Sequence, residues 1–186
     1  MPNWVYNGLT IEGNPDEVKK LMTQMNKPFA VLHDSWNMET GQMEVKQSTY
    51  PNPVFAFWNI HSPLDDGIDM LDYVKQPARL GIPTDSPDWF AKELAFGATQ
   101  HDWYNWNITN WGTKWDVAVE AGNEHPDTYM EDYANGENHV VFYNFNTAWS
   151  RPMPALCKLS EQYPSLLFLQ YFLMNWFIIL RLLLRE

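Results

Sequence analysis

The sequence predicts an α+β fold in which helices cover one face of a mainly antiparallel sheet. Strand and helix signals alternate along the chain as two strand-helix-strand halves, which is the first observation. Apolar residues make up 45% of the 186 residues, enough for a hydrophobic core. The single cysteine, Cys157, excludes an intrachain disulfide framework, so the core must supply the stability.

The first strand and the first helix carry clear local signals. β-forming residues run from Trp4 to Ile11, and Gly13 follows them. Asn14 is a favourable N-cap, and Pro15 suits the first helical position. Apolar residues then recur at helical spacing, at Val18, Leu21, Met22 and Met25. This spacing predicts a helix with one apolar stripe against a sheet.

The middle of the chain is less regular. Residues 29–53 show no sustained periodicity and predict no regular element. Residues 54–60 are short, apolar and aromatic, which predicts a second strand. A large insertion is then predicted over about 61–115, with a helix over about 88–100 inside it.

The second half again reads as strands around a helix. Strands are predicted at 117–121, 139–147 and 166–172. An acidic loop is predicted over 120–137, where Lys and Arg are absent. Pro152 and Pro154 begin a helix that Pro164 ends. The complete order predicts a ferredoxin-like sandwich over 1–172, followed by an atypical tail over 173–186.

The tail is unusually apolar. Residues 166–184 are interrupted only by Gln170, Asn175 and Arg181. The length suffices for a membrane span, but polar residues toward its middle disfavour one. We expect a buried strand and then an apolar helix that packs on the domain or on a second copy, so the tail is a candidate for a homodimer contact. The N-terminus lacks a basic and an apolar leader segment, and with one cysteine this predicts a cytoplasmic protein.

Four of the ten tryptophans lie between Trp103 and Asp116. One interpretation is a structural cluster in which the polar neighbours bond the indole N–H groups and the backbone. The other is a recognition surface, because tryptophan is enriched at binding hot spots. The candidate binding residues are Trp103, Trp106, Asn110, Trp111, Thr113, Lys114, Trp115, Asp116 and Trp149.

The formal net charge of −11 limits the classes of partner. Such a chain repels nucleic-acid phosphate unless basic residues cluster, and its Lys and Arg residues are scattered. The charge therefore favours a partner protein with a basic surface. The candidate acidic surface consists of Asp65, Asp66, Glu120, Glu124, Asp127, Glu131, Asp132 and Glu137.

No catalytic or metal-binding motif is present. The histidines show no metal-ligand spacing; they are His33, His61, His101, His125 and His139. The glycines form no phosphate-binding loop or dinucleotide fingerprint. His101–Asp102 is the one acid–base pair worth testing, and Cys157 is interpreted as a core residue. We predict no metal, no cofactor and no enzymatic activity.

Three sequence runs resemble a known family. They are residues 3–13 around Asn3-Trp4-Val5-Tyr6-Asn7, residues 110–116 with the run Asn-Trp-Gly-Thr-Lys-Trp-Asp, and residues 147–164 from Thr147-Ala148-Trp149-Ser150 to Tyr163-Pro164. They are similar to the YubB-like proteins of phages, plasmids and integrated elements. The resemblance implies a ferredoxin-like domain and a mobile-element origin, without an established activity. This chain departs from the family pattern after Tyr171, where it becomes apolar.

Three functional hypotheses follow. The first is an acidic interaction protein that inhibits a host defence nuclease complex of the CRISPR or restriction type. The second is a single-stranded nucleic-acid-binding domain in which Tyr143 and Phe145 stack bases. The third is an enzyme that uses Lys114, Asp116 or the His101–Asp102 pair.

Overall fold

The structure is a computed structural model that describes residues 3–74, 103–117, 128–174 and 177–183. The strands are β1 (Trp4–Gly13), β2 (Phe29–Asn37), β3 (Gln42–Tyr50), β4 (Tyr129–Asn135), β5 (Asn138–Ala148), β6 (Leu167–Met174) and β7 (Phe177–Leu183). The α-helices are α1 (Pro15–Met25), α2 (Met70–Val74), α3 (Trp103–Asn110) and α4 (Met153–Gln162). Two short 3₁₀ helices span Phe57–Asn59 and Pro63–Asp66.

The main sheet has the ferredoxin-like strand order. Its five strands lie in the order β4-β5-β1-β6-β7, and every neighbouring pair is antiparallel. If β7 and the elements between α1 and β4 are left out, the chain order is β1-α1-β4-β5-α4-β6. This is the split strand-helix-strand arrangement of the ferredoxin-like fold. The predicted fold class is therefore confirmed. Strand β7 extends the sheet beyond β6.

The two helices of the ferredoxin-like core cover the same face of the sheet. Strand register places Leu9 beside Tyr143 and Gln170, and Asn7 beside Phe145 and Phe172. We call this the inner face. Its apolar residues join those of α1 and α4 in one buried cluster, which includes Leu9, Ile11, Val18, Leu21, Tyr143, Phe145, Leu156 and Leu159. The opposite, outer face carries the alternate residues of the same strands.

The strongest sequence signals correspond to observed elements. Strand β1, helix α1, strand β5, helix α4 and strand β6 lie where the sequence predicts them. The Asn14 side chain caps α1 by accepting a 2.9 Å hydrogen bond from the backbone N–H of Asp16. Val18, Leu21 and Met25 are fully buried, as the helical spacing predicts.

The strand predicted at residues 54–60 is wrong. This segment contains the 3₁₀ helix Phe57–Asn59, and Phe55, Ala56 and Phe57 are fully buried. It is apolar because it fills the core beneath the inner face and not because it pairs with a strand. Phe55 stacks on Phe145 with ring centroids 4.8 Å apart. A short buried run does not distinguish these two structures.

Residues 29–53, predicted to be irregular, form the hairpin β2–β3. The described side chains of this hairpin are exposed or half-buried, so no face has the apolar alternation that identifies a strand. Its turn is built from local polar bonds. The side-chain oxygen of Asn37 accepts from the N–H groups of Glu39 and Thr40, and Gly41 adopts a φ of 64°.

The acidic loop predicted over 120–137 is wrong for its second part, because residues 129–135 are strand β4. All seven residues of β4 are exposed. The strand therefore has no buried face, and its sequence lacks the apolar alternation that predicts a strand. In the ferredoxin-like order, the second strand follows the first helix directly. Here residues 26–128 are inserted between α1 and β4, and this range includes the insertion predicted over 61–115. The helix predicted over 88–100 lies outside the described residues, as do residues 118–121 of the strand predicted at 117–121.

The helix predicted after the last strand is also wrong. Residues 177–183 form strand β7, which pairs antiparallel with β6 and has Phe172 opposite Ile179. Apolar composition alone does not separate a strand from a helix of this length. Within the described ranges, no helix is long and apolar enough to cross a membrane. A homodimer contact through the tail stays a prediction.

Gly112 tests how the insertion is attached to the sheet. Its φ is 83°, and a Cβ there would lie 2.5 Å from Pro154 Cδ and 2.8 Å from the carbonyl oxygen of Arg151. We expect Gly112→Ala to lower the free energy of unfolding by about 3 kcal/mol, through backbone strain and this overlap. Gly136→Ala is the control, because its φ is 61° but its Cβ would meet nothing within 4 Å, and it should cost about 1 kcal/mol. Equal losses in urea denaturation would contradict the packing described.

Candidate functional site

The tryptophan-rich segment begins as α3 and continues as irregular chain to Val117. Trp106 and Trp111 are buried and contact edge to face, with ring centroids 5.3 Å apart. The Trp106 indole N–H donates to Asp66 Oδ2 at 3.0 Å, and the Trp111 indole N–H donates to the His61 carbonyl at 2.8 Å. Both rings are therefore core residues whose polar edges have partners.

The polar neighbours join this segment to the rest of the chain. The Thr113 hydroxyl donates to the Ala148 carbonyl at 3.0 Å, at the end of β5. The Asn107 amide donates to the Lys114 carbonyl at 2.9 Å and accepts from the Tyr73 hydroxyl at 2.8 Å. The Asn110 amide donates to the Trp106 carbonyl. These bonds support the structural interpretation for the buried part of the segment.

Asp116 is the one carboxylate of residues 103–117, and it accepts three hydrogen bonds. Its Oδ1 accepts from the backbone N–H groups of Phe57 at 2.7 Å and Val117 at 2.8 Å, and its Oδ2 accepts from that of Trp58 at 3.0 Å. Burial raises the pKa of Asp116 to about 6, and the three N–H donors oppose that rise. The half-buried carboxylate therefore holds the start of a 3₁₀ helix through bonds to backbone N–H groups.

Trp103 and Trp115, with Tyr104, form a partly exposed cluster around Lys114. Its ammonium lies 4.6 Å from the ring centroid of Trp115, 5.8 Å from that of Tyr104 and 6.0 Å from that of Trp103. Trp149 is more than half exposed and has a φ of 69°. The sequence-predicted binding residues are therefore not one surface: some are buried, some surround Lys114, and Trp149 is exposed.

The described acidic candidates are all exposed, but they lie on different elements. Asp65 caps the second 3₁₀ helix, accepting from the Ser62 N–H at 2.7 Å, and Asp66 lies 3.0 Å from His61 Nε2. Glu120, Glu124 and Asp127 lie outside the described residues. Glu131, Asp132 and Glu137 are exposed on the hairpin of β4 and β5.

Other sequence-predicted groups are placed as follows. His101–Asp102 and His125 lie outside the described ranges. Cys157, interpreted from sequence as a core residue, is exposed on α4, so that interpretation is wrong. Over the part of the chain that the structure describes, no group of three His, Cys, Asp or Glu side chains could hold a metal ion.

The outer face of the sheet carries an aromatic row that sequence reasoning missed. Phe142 and Tyr171 stack with ring centroids 6.0 Å apart and planes 10° apart, and Tyr129 contacts Phe142 at 6.1 Å. Tyr6 is half exposed on the same face. Residues 140–145 are apolar at both alternating sets of positions apart from Asn144, which predicts a strand buried on both faces. The sequence signal that could have identified this row is the pair of tyrosines at alternate positions of β4, Tyr129 and Tyr133.

Tyr143 and Phe145, the residues expected to stack nucleic-acid bases, lie on the inner face. Both are fully buried, and Phe55 contacts both rings at 4.8 to 4.9 Å. They are core residues, so this expectation is wrong for the two named side chains. The aromatic rings that reach solvent on β5 and its neighbours belong to the opposite face.

Fold and site together define a ferredoxin-like α+β protein with one closed and one open sheet face. Comparison with protein-family models agrees with this class: residues 114–176 match the model described as the ferredoxin-like domain in Api92-like protein. The match spans β4, β5, α4 and β6. The comparison with curated proteins found no match, and neither did the comparison with solved structures.

Asp116→Asn tests the role of this half-buried carboxylate. The pKa of Asp116 is raised on folding, so its contribution to stability is fully present below about pH 4 and is lost as the pH rises through about 6. We expect the free energy of unfolding of the wild type to fall by up to about 3 kcal/mol over this window relative to the variant. The variant also places an amide N–H against backbone donors, which should cost about 1 to 3 kcal/mol.

The measurement is urea denaturation of both proteins between about pH 4 and pH 7.5, which brackets the raised pKa. Asp72→Asn, which changes an exposed carboxyl group on α2, is the matched control. A stability difference between wild type and Asp116→Asn that does not vary with pH would contradict the assignment.

Proposed function

We propose that this protein is a non-enzymatic interaction protein that binds a basic surface of a partner protein. The observation that carries the proposal is the hairpin of β4 and β5, in which an entirely exposed strand presents acidic side chains. Among the described residues, the edge of β4 that faces away from β5 pairs with no other strand. An exposed strand edge is a site where a partner chain can dock.

The charge on this hairpin has one sign. Residues 128–150 contain no Lys or Arg, while Glu131, Asp132 and Glu137 are exposed there. Glu12 of β1 accepts from Asn135 at 2.9 Å and Asn138 at 3.3 Å, which places a further carboxylate beside the turn. His139 pairs with Asp132 at 2.8 Å. A surface of this kind attracts cationic partners and increases their association rate.

The partner class follows from charge and from the family resemblance. A net charge of −11 repels nucleic acid and suits a protein that competes with it for a basic channel. Together with the resemblance to YubB-like proteins, this supports a phage or plasmid protein that acts in the cytoplasm of a bacterial host. We propose a defence nuclease complex of the CRISPR or restriction type as the target.

The enzyme alternative gains no support from the described residues. Asp116, its candidate acid, accepts three backbone hydrogen bonds. Lys114, its candidate amine, lies over the aromatic rings of Trp103, Tyr104 and Trp115. Nucleophilic catalysis usually requires a nucleophile within hydrogen-bond reach of a general base.

Charge reversal on the hairpin tests the proposal. Cells that carry a CRISPR or restriction system would express the wild type, Glu131→Lys/Glu137→Lys, or the control Glu39→Lys/Asp72→Lys. The control makes the same change in net charge at exposed sites on the β2–β3 turn and on α2. We expect the wild type and the control to reduce interference with incoming DNA, and the hairpin variant to lose most of this effect.

The purified wild type and control should bind the isolated nuclease complex more tightly than the hairpin variant does, at both low and physiological salt. Equal effects of the two double variants would show that only total charge matters and would contradict a hairpin site. Full interference in the presence of the wild type, across both classes of system, would overturn the proposed target.

A further inference from the structure

The outer face of the main sheet is an aromatic surface across neighbouring strands. Strand register places Tyr6, Phe142 and Tyr171 on this face, and Tyr129 lies at its edge on β4. Three of these side chains, Tyr6, Tyr129 and Tyr171, are between 37% and 50% exposed. Rings that pack on one another and stay accessible present their π faces to a ligand.

Gly8 creates the space for the centre of this row. It lies on β1 between Asn144 of β5 and Tyr171 of β6. A Cβ at Gly8 would overlap the Tyr171 ring, so the ring crosses directly over the backbone of β1. This close approach brings Tyr171 against Phe142, across the strand that separates them. A glycine in a strand interior often marks such an approach.

Carboxylates border the aromatic row. Glu131 is the direct cross-strand neighbour of Phe142 on the same face, and Glu12 lies two residues beyond Thr10 along β1. Cross-strand neighbours have Cβ atoms about 5 Å apart, which is within reach of one bound group. Among the described side chains of β1, β4, β5 and β6 that point outward, none is Lys or Arg.

This combination of groups complements arginine more closely than any other protein side chain. A guanidinium is planar, stacks on aromatic rings, pairs with carboxylates through two N–H groups and is weakly hydrated. The chain contains the same contact internally, where the Arg151 guanidinium lies 4.4 Å from the ring centroid of Phe172. Phosphate, by contrast, would meet two carboxylates and no Lys or Arg among the described outward-pointing side chains of these four strands.

We infer that the outer face binds arginine side chains of the basic partner, with guanidinium groups stacked on the Phe142–Tyr171 row and paired with Glu131. This inference rests on the proposed function and names the side chain that the partner must present. The ring faces supply the preference for arginine over lysine. The carboxylates supply the attraction for either cation.

The experiment measures binding of three defined probes by isothermal titration calorimetry at low salt. The probes are an oligo-arginine peptide, an oligo-lysine peptide of the same length and a single-stranded oligothymidine. The proteins are the wild type, Tyr171→Leu, Phe142→Leu, Glu131→Gln and the control Tyr104→Leu, which removes an exposed ring on helix α3. Leucine keeps apolar volume but removes the ring face, and circular dichroism checks the fold.

We expect the wild type to bind oligo-arginine at least about tenfold more tightly than oligo-lysine. Tyr171→Leu and Phe142→Leu should each weaken oligo-arginine binding about fivefold or more and leave oligo-lysine binding nearly unchanged. Glu131→Gln should weaken both peptides, and Tyr104→Leu neither. Gly8→Ala, which displaces the Tyr171 ring, should reproduce Tyr171→Leu.

Three results would overturn the inference. If both peptides bind equally and respond only to Glu131→Gln, the hairpin attracts cations as proposed, but the aromatic row does not select arginine. If oligothymidine binds and the two ring variants abolish that binding, the face is a nucleic-acid surface and the proposed function fails with the inference. No binding of either peptide would also count against both.

Discussion

The arrangement of the protein depends on how the insertion closes the inner face of the sheet. The sheet needs an apolar cover, and α1 and α4 share that task with the buried residues Phe55 and Phe57. These rings contact Phe145 at 4.8 and 5.8 Å. Their backbone has no strand partner, so the Asp116 carboxylate satisfies the N–H groups of Phe57 and Trp58. A buried donor without such a partner would cost about 1 to 3 kcal/mol.

The same arrangement assigns different roles to the two faces. Thr113 bonds the insertion to the end of β5, and Trp106 and Trp111 are bonded within the insertion, so much of the tryptophan-rich segment serves packing. The outer face keeps its aromatic rings accessible and adjoins the acidic hairpin. An interaction surface usually combines such rings with charged groups at its border. The closed face thus supplies stability, and we propose that the open face supplies recognition.

The sequence predicts the elements whose buried residues follow a period. The helical spacing of Val18, Leu21 and Met25 on α1 and the β-forming run of β1 are local signals, and they suffice to identify the start of the ferredoxin-like order. Strand β4 has no buried residue, and residues 54–60 are buried without pairing, so composition misidentifies both. The aromatic row depends on strand register, because Phe142 and Tyr171 lie on strands that β1 separates. No local sequence pattern predicts a contact between side chains on two strands that a third strand separates.

Tyrosine nitration mapped by mass spectrometry tests the division into a closed and an open face most directly. On the native protein, Tyr6, Tyr129 and Tyr133 should react readily, because they are 45% to 57% exposed on the outer face. Tyr73, Tyr143 and Tyr163 should stay unmodified until the protein unfolds, since each is at most 7% exposed. Protection of Tyr6 and Tyr129 equal to that of Tyr143 would show that the outer face is covered and would contradict the account.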